Sequence, residues 1–154
     1  MIHSPLNYTG GKFKLLPQLL PLFPKEIDTF VDLFGGGFNV GINVEAKSVV
    51  YNDLSLPVVQ MLRVFKERPT EDIIKHIKDN IKNYCLTKES ADAYRLFRAY
   101  YNGNIEADPV DLFTLICYAF NNHIRFNKKG QYNMPFGKDR SSFPRYSSPL
   151  RFRS

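Results

Sequence analysis

The run Thr29-Phe30-Val31-Asp32-Leu33-Phe34 ends in three consecutive glycines, Gly35-Gly36-Gly37, and gives way to Phe38-Asn39-Val40-Gly41-Ile42-Asn43-Val44. β-Branched and aromatic residues favour extended backbone, and glycines allow a turn too tight for side chains, so the spacing predicts strand, glycine turn, helix. That order opens α/β nucleotide-binding units, whose ligands lie at the carboxyl ends of parallel strands. A second strand is predicted over Ser48-Val49-Val50-Tyr51, ending in Asn52-Asp53. Asp53 stands 18 residues after Gly35, near the separation of about 20 at which a carboxylate at the second strand's tip accepts hydrogen bonds from ribose hydroxyls. A structural left-handed turn followed by a helix-capping Asp satisfies the same letters, and both readings stand here.

The glycine register narrows the ligand. A dinucleotide fingerprint needs a third glycine near the helix start to seat a pyrophosphate, whereas Phe38 follows the cluster directly and Gly41 is out of register. An adenosine bearing a small charged group, such as S-adenosylmethionine, fits better. Upstream, Asn7-Tyr8-Thr9-Gly10-Gly11-Lys12 precedes an apolar stretch, Leu15 to Phe23, predicted as a helix interrupted by Pro17 and Pro21. Paired glycines, free amides at a helix start and the Lys12 charge suit an anionic or nucleotide-like ligand; an ordinary loop has the same composition. The segment lacks the spaced upstream glycine and following Ser or Thr of a Walker A loop.

Charge is concentrated at the other end. Residues 121–154 carry eight Lys or Arg and one acid, a net +7, while residues 1–120 sit near −1, so the positive charge of the chain, +6 in total, is local to this segment. Within this segment, Ile124 to Asn127 and Gln131 to Met134 read as two arms flanking a Lys128-Lys129-Gly130 turn. Arg can fork onto guanine and Asn onto adenine, and Met134 and Pro135 offer apolar contact to a thymine methyl. The segment reads as a DNA-contacting hairpin, as a surface hairpin with solvated lysines, or as part of a basic tail.

Between these ends, helices are predicted from Ser55 to Arg68, from Thr70, from Thr87 to Tyr101, and from Asp108-Pro109, the last with a face of Leu112, Leu115, Ile116 and Ala119. Tyr94, Phe97 and Tyr101 form a core stripe. With 154 residues and 44% hydrophobic content, the chain is long enough for one sizeable core. No apolar run is long enough to span a bilayer, and the start lacks a secretion-signal pattern. Cys85 and Cys117 lack metal-ligand spacing and are expected as buried helical thiols in a reducing cytoplasm. Residues 139–154 are expected to form an unstructured tail.

Four ordered blocks carry a resemblance. Tyr8-Thr9-Gly10-Gly11-Lys12, then Phe30-Val31-Asp32-Leu33-Phe34-Gly35-Gly36-Gly37, then Asn52-Asp53, then Phe120-Asn121-Asn122-His123-Ile124-Arg125-Phe126-Asn127 through Asn133-Met134-Pro135-Phe136-Gly137-Lys138 stand in the order found in Dam-type DNA adenine-N6 methyltransferases. Over roughly residues 5–140 the chain resembles that family, particularly its phage-encoded branch.

The resemblance implies an α/β fold: a partial Rossmann-like domain binding S-adenosyl-L-methionine (residues 1–54) and an inserted helical target-recognition subdomain (55–138) whose β-hairpin spans 121–138. Tyr8, Lys12, Asp32, Phe34, Gly35, Gly37 and Asp53 then surround the cofactor. Phe120 matches a residue that wedges into double-stranded DNA. His123, Arg125, Asn127, Pro135 and Lys138 match reading and positioning residues for a short GATC-like site, and Asn121, Lys128 and Lys129 of the same hairpin segment are expected to contact DNA beside them. Asn7 stands where many relatives carry Lys, and His123 where they carry an apolar residue.

Relatives also hold the adenine amine with an Asp-Pro-Pro-Tyr motif, which the 154 residues do not contain; Asp108-Pro109-Val110-Asp111 is expected to be a helix cap. The chain is therefore expected to be the front portion of an adenine methyltransferase, with no catalytic or metal-ligating residue of its own. A second polypeptide or self-association would complete the sheet. A non-catalytic DNA-binding protein derived from a methylase and a small-molecule nucleotide enzyme remain open alternatives.

Overall fold

The computed structural model describes residues 1–141; residues 142–154, with most of the expected tail, lie outside the described residues. The chain divides into two compact units, Met1–Val59 and one beginning at Gln60. Among the described residues the fold is mixed α/β, with five α-helices and a small parallel sheet.

In the first unit, β1 (Thr29–Asp32) pairs in parallel with β2 (Ser48–Tyr51), Val31 opposite Val50 and Asp32 opposite Tyr51. Pairing continues beyond both strands, as Asn52 donates to the Asp32 carbonyl at 3.0 Å and Gly35 to the Asn52 carbonyl at 2.9 Å. The period of two leaves Phe30, Asp32, Val49 and Tyr51 half-buried while Val31 and Val50 point to solvent, 53% and 47% exposed. Parallel sheets are ordinarily covered on both faces. Among the described residues, this one has an uncovered apolar side.

The helix expected after the glycines does not form. Residues 36–43 make successive turns, with Ile42 bonding to Phe38 at 3.3 Å and both Asn43 and Val44 to Val40. Phe38 has φ +63°, outside the helical region, and β-branched Val40, Ile42 and Val44 crowd a helix. The stretch before β1 is likewise short: α1 (Leu16–Leu19) sits between 3-10 turns at Phe13–Leu15 and Leu20–Leu22. Pro17 and Pro21 lack the N–H that would extend it.

Four longer helices follow: α2 (Leu56–Glu67), α3 (Thr70–Asn83), α4 (Ala91–Gly103) and α5 (Pro109–Tyr118). The boundary between units falls within α2. α4 is capped by Ser90, whose hydroxyl accepts the Ala93 amide at 3.2 Å, and does not start from the expected Thr87. Asp108 caps α5 as expected, with a reciprocal capping box to Asp111. Arg68 forks onto the Asp108 carboxylate at 2.9 and 3.2 Å.

α5 is the centre of this unit. Val110 to Tyr118 are all buried, so burial extends around the whole helix and beyond the predicted face. The polar groups drawn inside are matched: Asp111 receives Asn80 Nδ2 at 2.8 Å and bonds His76 Nε2 at 2.7 Å, tying α3 to α5. Tyr94 and Phe97 are fully buried, as the stripe on α4 predicted.

Of the two cysteines, Cys117 is a buried helical thiol as expected and Cys85 is not. Cys117 is buried, and desolvation pushes its thiol pKa well up. Cys85 is exposed and lies beyond the end of α3 with φ +50°, because the chain reverses there to send Leu86 inward. Residues 138–140 form a 3-10 turn and Ser141 is buried, so the start of the expected tail is structured.

Candidate functional site

At the carboxyl ends of β1 and β2 the first unit forms a cavity of about 550 Å³ that is open to solvent on one side. Tyr8, Lys12, Asp32, Phe34, Gly35, Gly37 and Asp53 all line it. Residues up to 45 positions apart in sequence meet there because parallel pairing brings the two strand tips together and the N-terminal segment crosses the glycine turn.

Backbone contacts set the turn's shape. Asp53 accepts the Gly36 amide on Oδ2 and the Ser55 amide on Oδ1, both at 2.9 Å, locking the glycine turn to the chain leaving β2. Tyr51 donates its hydroxyl to the Gly36 carbonyl at 2.8 Å. Its ring occupies the space a Cβ on Gly35 would need. Gly36 has φ +49° and packs under the Tyr8 ring, and a Cβ on Gly37 would press on Tyr8 and the Leu6 carbonyl. Gly10, at φ +79°, lets the Tyr8–Gly11 turn close at 3.0 Å, and Lys12 Nζ donates back to the Gly10 carbonyl at 2.7 Å.

Burial governs the titration of the acids and phenols that show a shift here. Burial raises the pKa of Asp32, with nearby Asp53 adding to the effect and the Gly41 amide at 3.0 Å opposing it. Burial, then Asp53, raises Tyr8, and the same two causes push Tyr51 further up, so both phenols stay neutral. Phe34 is 79% exposed, an aromatic face held at the cavity with little covering it.

Sequence reasoning missed Asn39 and Tyr51. Asn39 is buried in the cavity wall, its Oδ1 accepting the Ser4 amide at 3.0 Å. No local pattern marks it, since its partner lies 35 residues away. Tyr51 was legible as the residue facing Asp32 once the parallel register was drawn.

In the second unit, residues 124–134 form a hairpin. Phe126 faces Tyr132, Asn127 donates to the Gln131 carbonyl at 2.9 Å and Asn133 to the Arg125 carbonyl at 3.1 Å. Lys128, Lys129 and Gly130 project at the tip, with Gly130 at φ +75°. Asn127 builds the turn: its Oδ1 accepts the amides of Lys129 and Gln131, and its Nδ2 donates to Gln131 Oε1 at 3.1 Å. Its side chain is thus committed within the loop.

The second arm is bolted to α4. Tyr94 and Arg98 both donate to the Met134 carbonyl, at 2.9 and 2.6 Å, and Asn102 pairs with both the N–H and C=O of Tyr132 at 2.9 Å. These three residues recur every fourth position along one helix face. Met134 is consequently 5% exposed, which removes it as an apolar contact for a base, whereas Pro135 remains exposed.

At the hairpin's root Phe120 is 37% exposed and donates its backbone N–H to the Pro135 carbonyl at 3.0 Å. Arg140 lies over its ring at 5.2 Å and donates to Asn121 Oδ1 at 3.1 Å. Asn121 has φ +53°, and Lys138, exposed, has φ +46°. His123 is half-buried, its carbonyl accepting the Tyr132 hydroxyl at 3.0 Å. Arg125 folds across to Asn133, a partner sequence reasoning did not assign. The nine residues expected at a DNA surface therefore share one hairpin and its root.

No helix among the described residues is long and apolar enough to cross a membrane. The chain is 52% identical over 142 residues to the type II methyltransferase M.FokI of Planomicrobium okeanokoites, covering 92% of this chain and 22% of that protein. It is 47% identical to the modification methylase StsI of Streptococcus sanguinis, covering 92% and 21%. It is 25% identical over 137 residues to the DNA adenine methylase of Escherichia coli K12, covering 86% and 47%. It thus spans about a fifth of the length of the first two. Residues 8–152 match one family throughout, and the chain belongs to the D12 class N6 adenine-specific DNA methyltransferases.

Proposed function

We propose that this chain provides the cofactor-binding and DNA-reading portion of a site-specific DNA adenine-N6 methyltransferase that uses S-adenosyl-L-methionine. The observation that carries this reading is the convergence of seven residues, separated in sequence, on one cavity at the strand tips. Its volume suits a nucleoside-sized ligand. Each Asp53 oxygen accepts one backbone amide and keeps a second lone pair for a ribose hydroxyl. Phe34 supplies a face for an adenine ring, and the glycines admit the ligand against bare backbone. Asp32, Tyr8 and Lys12 complete the wall. Bound there, the cofactor supplies an electrophilic methyl on a sulfonium.

Residues 55–138 serve as an inserted recognition subdomain on double-stranded DNA. Lys128, Lys129 and Lys138 contact phosphates, Phe120 wedges beside the target base, and Arg125 with His123, Asn121 and Pro135 reads a short GATC-like site. Asn127 acts by holding the turn that presents the lysines. The adenine amine is held by groups outside these 154 residues, from a second polypeptide or a longer chain, in the cytoplasm of a bacterial or phage-infected cell.

Calorimetric titration with S-adenosylmethionine, followed by a labelled-methyl assay on duplex DNA, tests the reading. Binding that is lost in Asp53→Ala, with no label transferred by the chain alone, is the expected result. Absence of binding by the folded chain overturns the cofactor assignment, and label transfer by the chain alone overturns the assignment of catalysis elsewhere.

A further inference from the structure

The side chain of Arg125 does not float free on the hairpin. Its Nε donates to Asn133 Oδ1 at 2.8 Å and its Nη2 to the Asn133 carbonyl at 2.9 Å, so the same neighbour holds two positions on one edge of the guanidinium. Asn133 sits directly across the hairpin, its amide donating to the Arg125 carbonyl at 3.1 Å. The arm bearing Asn133 is anchored to α4 on both sides, through Tyr132 and Met134, so the clamp is built on a fixed strand.

A guanidinium has five N–H groups in a rigid plane. Two are spent on Asn133, and those of Nη1 with the remaining one of Nη2 face away along the outer edge, the geometry that forks onto two acceptors. From this we infer that Asn133 is a specificity-determining positioning residue: it fixes the Arg125 fork in the orientation that meets a guanine edge. The inference rests on the reading of this hairpin as a DNA surface. An exposed arginine normally surrenders several free rotors when it forms a bidentate contact, and a clamp formed before binding removes much of that cost for the right base alone. A phosphate contact would gain less, because its oxygens offer acceptors in several directions and accept the fork in more than one orientation, whereas a guanine edge offers one.

The test is selection from a pool of duplexes with a randomised central segment, bound by the full chain and sequenced, with the total fraction bound measured in parallel. The unaltered chain is expected to enrich a motif with guanine at one position, and Arg125→Ala to lower that guanine preference roughly five- to hundredfold. Asn133→Ala is expected to lower the same preference about three- to thirtyfold while the total fraction bound changes little. Asn133→Asp keeps the acceptor for Nε and adds a charge that repels phosphates. It should retain the guanine preference and bind less DNA of every sequence.

A normal guanine preference in Asn133→Ala beside a flattened one in Arg125→Ala overturns the inference and leaves the DNA reading standing. Loss of the preference in Asn133→Asp as well also overturns it, since the acceptor is still present. Enrichment of no motif by the unaltered chain overturns the DNA reading and the inference with it.

Discussion

Tyr51 lies over Gly35, its ring filling the volume that any side chain at position 35 would need. Gly35→Ala should therefore cost about 1–3 kcal/mol, because an aromatic ring hydrogen-bonded to Gly36 has little room to retreat. Adding Tyr51→Ala should cost less than the two single changes together. Urea denaturation of the single and double variants measures the coupling, and strict additivity would show that the ring and the glycine do not share this space.

Asp53 joins Gly36 to Ser55 through its two oxygens. Asp53→Ala leaves both amides without that acceptor and is expected to lower stability by about 1–3 kcal/mol. Asp53→Asn retains one acceptor oxygen and should fall between. Denaturation midpoints rank the three proteins.

Acid should separate Asp32 from Asp108. Burial and Asp53 hold the Asp32 carboxyl above its ordinary 3.8, so the folded state binds that proton more tightly than the unfolded chain does. Its contribution favours the fold in acid and is lost as pH rises through the carboxylate range. For Asp108, hydrogen bonds from Arg68 and the Val110 amide outweigh burial and hold the pKa below 3.8, so its contribution is present at neutral pH and disappears in acid. Asp32→Asn, which keeps an acceptor for Gly41, should gain stability that grows from about pH 3 to pH 7, and Arg68→Ala should lose stability that shrinks over the same interval on acidification. Thermal melts across that range give both slopes.

Asn102 holds both backbone groups of Tyr132 from the last turn of α4. Asn102→Ala should destabilise by about 1–3 kcal/mol and loosen the arm it anchors. Hydrogen exchange at the amides of Asn127 and Asn133, which close the hairpin, should quicken more than exchange within α5. Equal acceleration everywhere would mean that the residue supports the whole unit and not the arm.

Lys128 and Lys129 project from the tip with no ion-pair partner recorded for either among the described residues. If they neutralise phosphates, replacing either by Ala should reduce the slope of log affinity against log salt by about 1 and weaken all sequences alike. Fluorescence anisotropy at several salt concentrations measures it.

What the sequence revealed was mostly local. The strands at Thr29 and Ser48, the cap at Asp108 and the turn at Lys128-Lys129-Gly130 each follow from a few adjacent residues with strong preferences. The cavity was also legible, because glycines and acids at strand tips must converge once two parallel strands pair. The missing helix after Gly37 was not, since a helix was expected from the usual strand–glycine–helix order, while β-branched Val40, Ile42 and Val44 and the left-handed Phe38 backbone keep residues 38–44 in turns. Met134 resembled a surface residue until Tyr94 and Arg98, 40 and 36 residues away, took its carbonyl. Arg125 and Asn127 were read as free hydrogen-bonding groups because their partners depend on hairpin register, which pairs Arg125 with Asn133 as soon as Phe126 meets Tyr132.

Val31 and Val50 stand side by side on the bare face of the sheet. A dye that fluoresces on contact with oily surface will therefore light up in native buffer, before any heat or denaturant is added. For this chain such a signal is a property of the correctly folded state, and melting is better followed through the near-ultraviolet dichroism of its packed tyrosines.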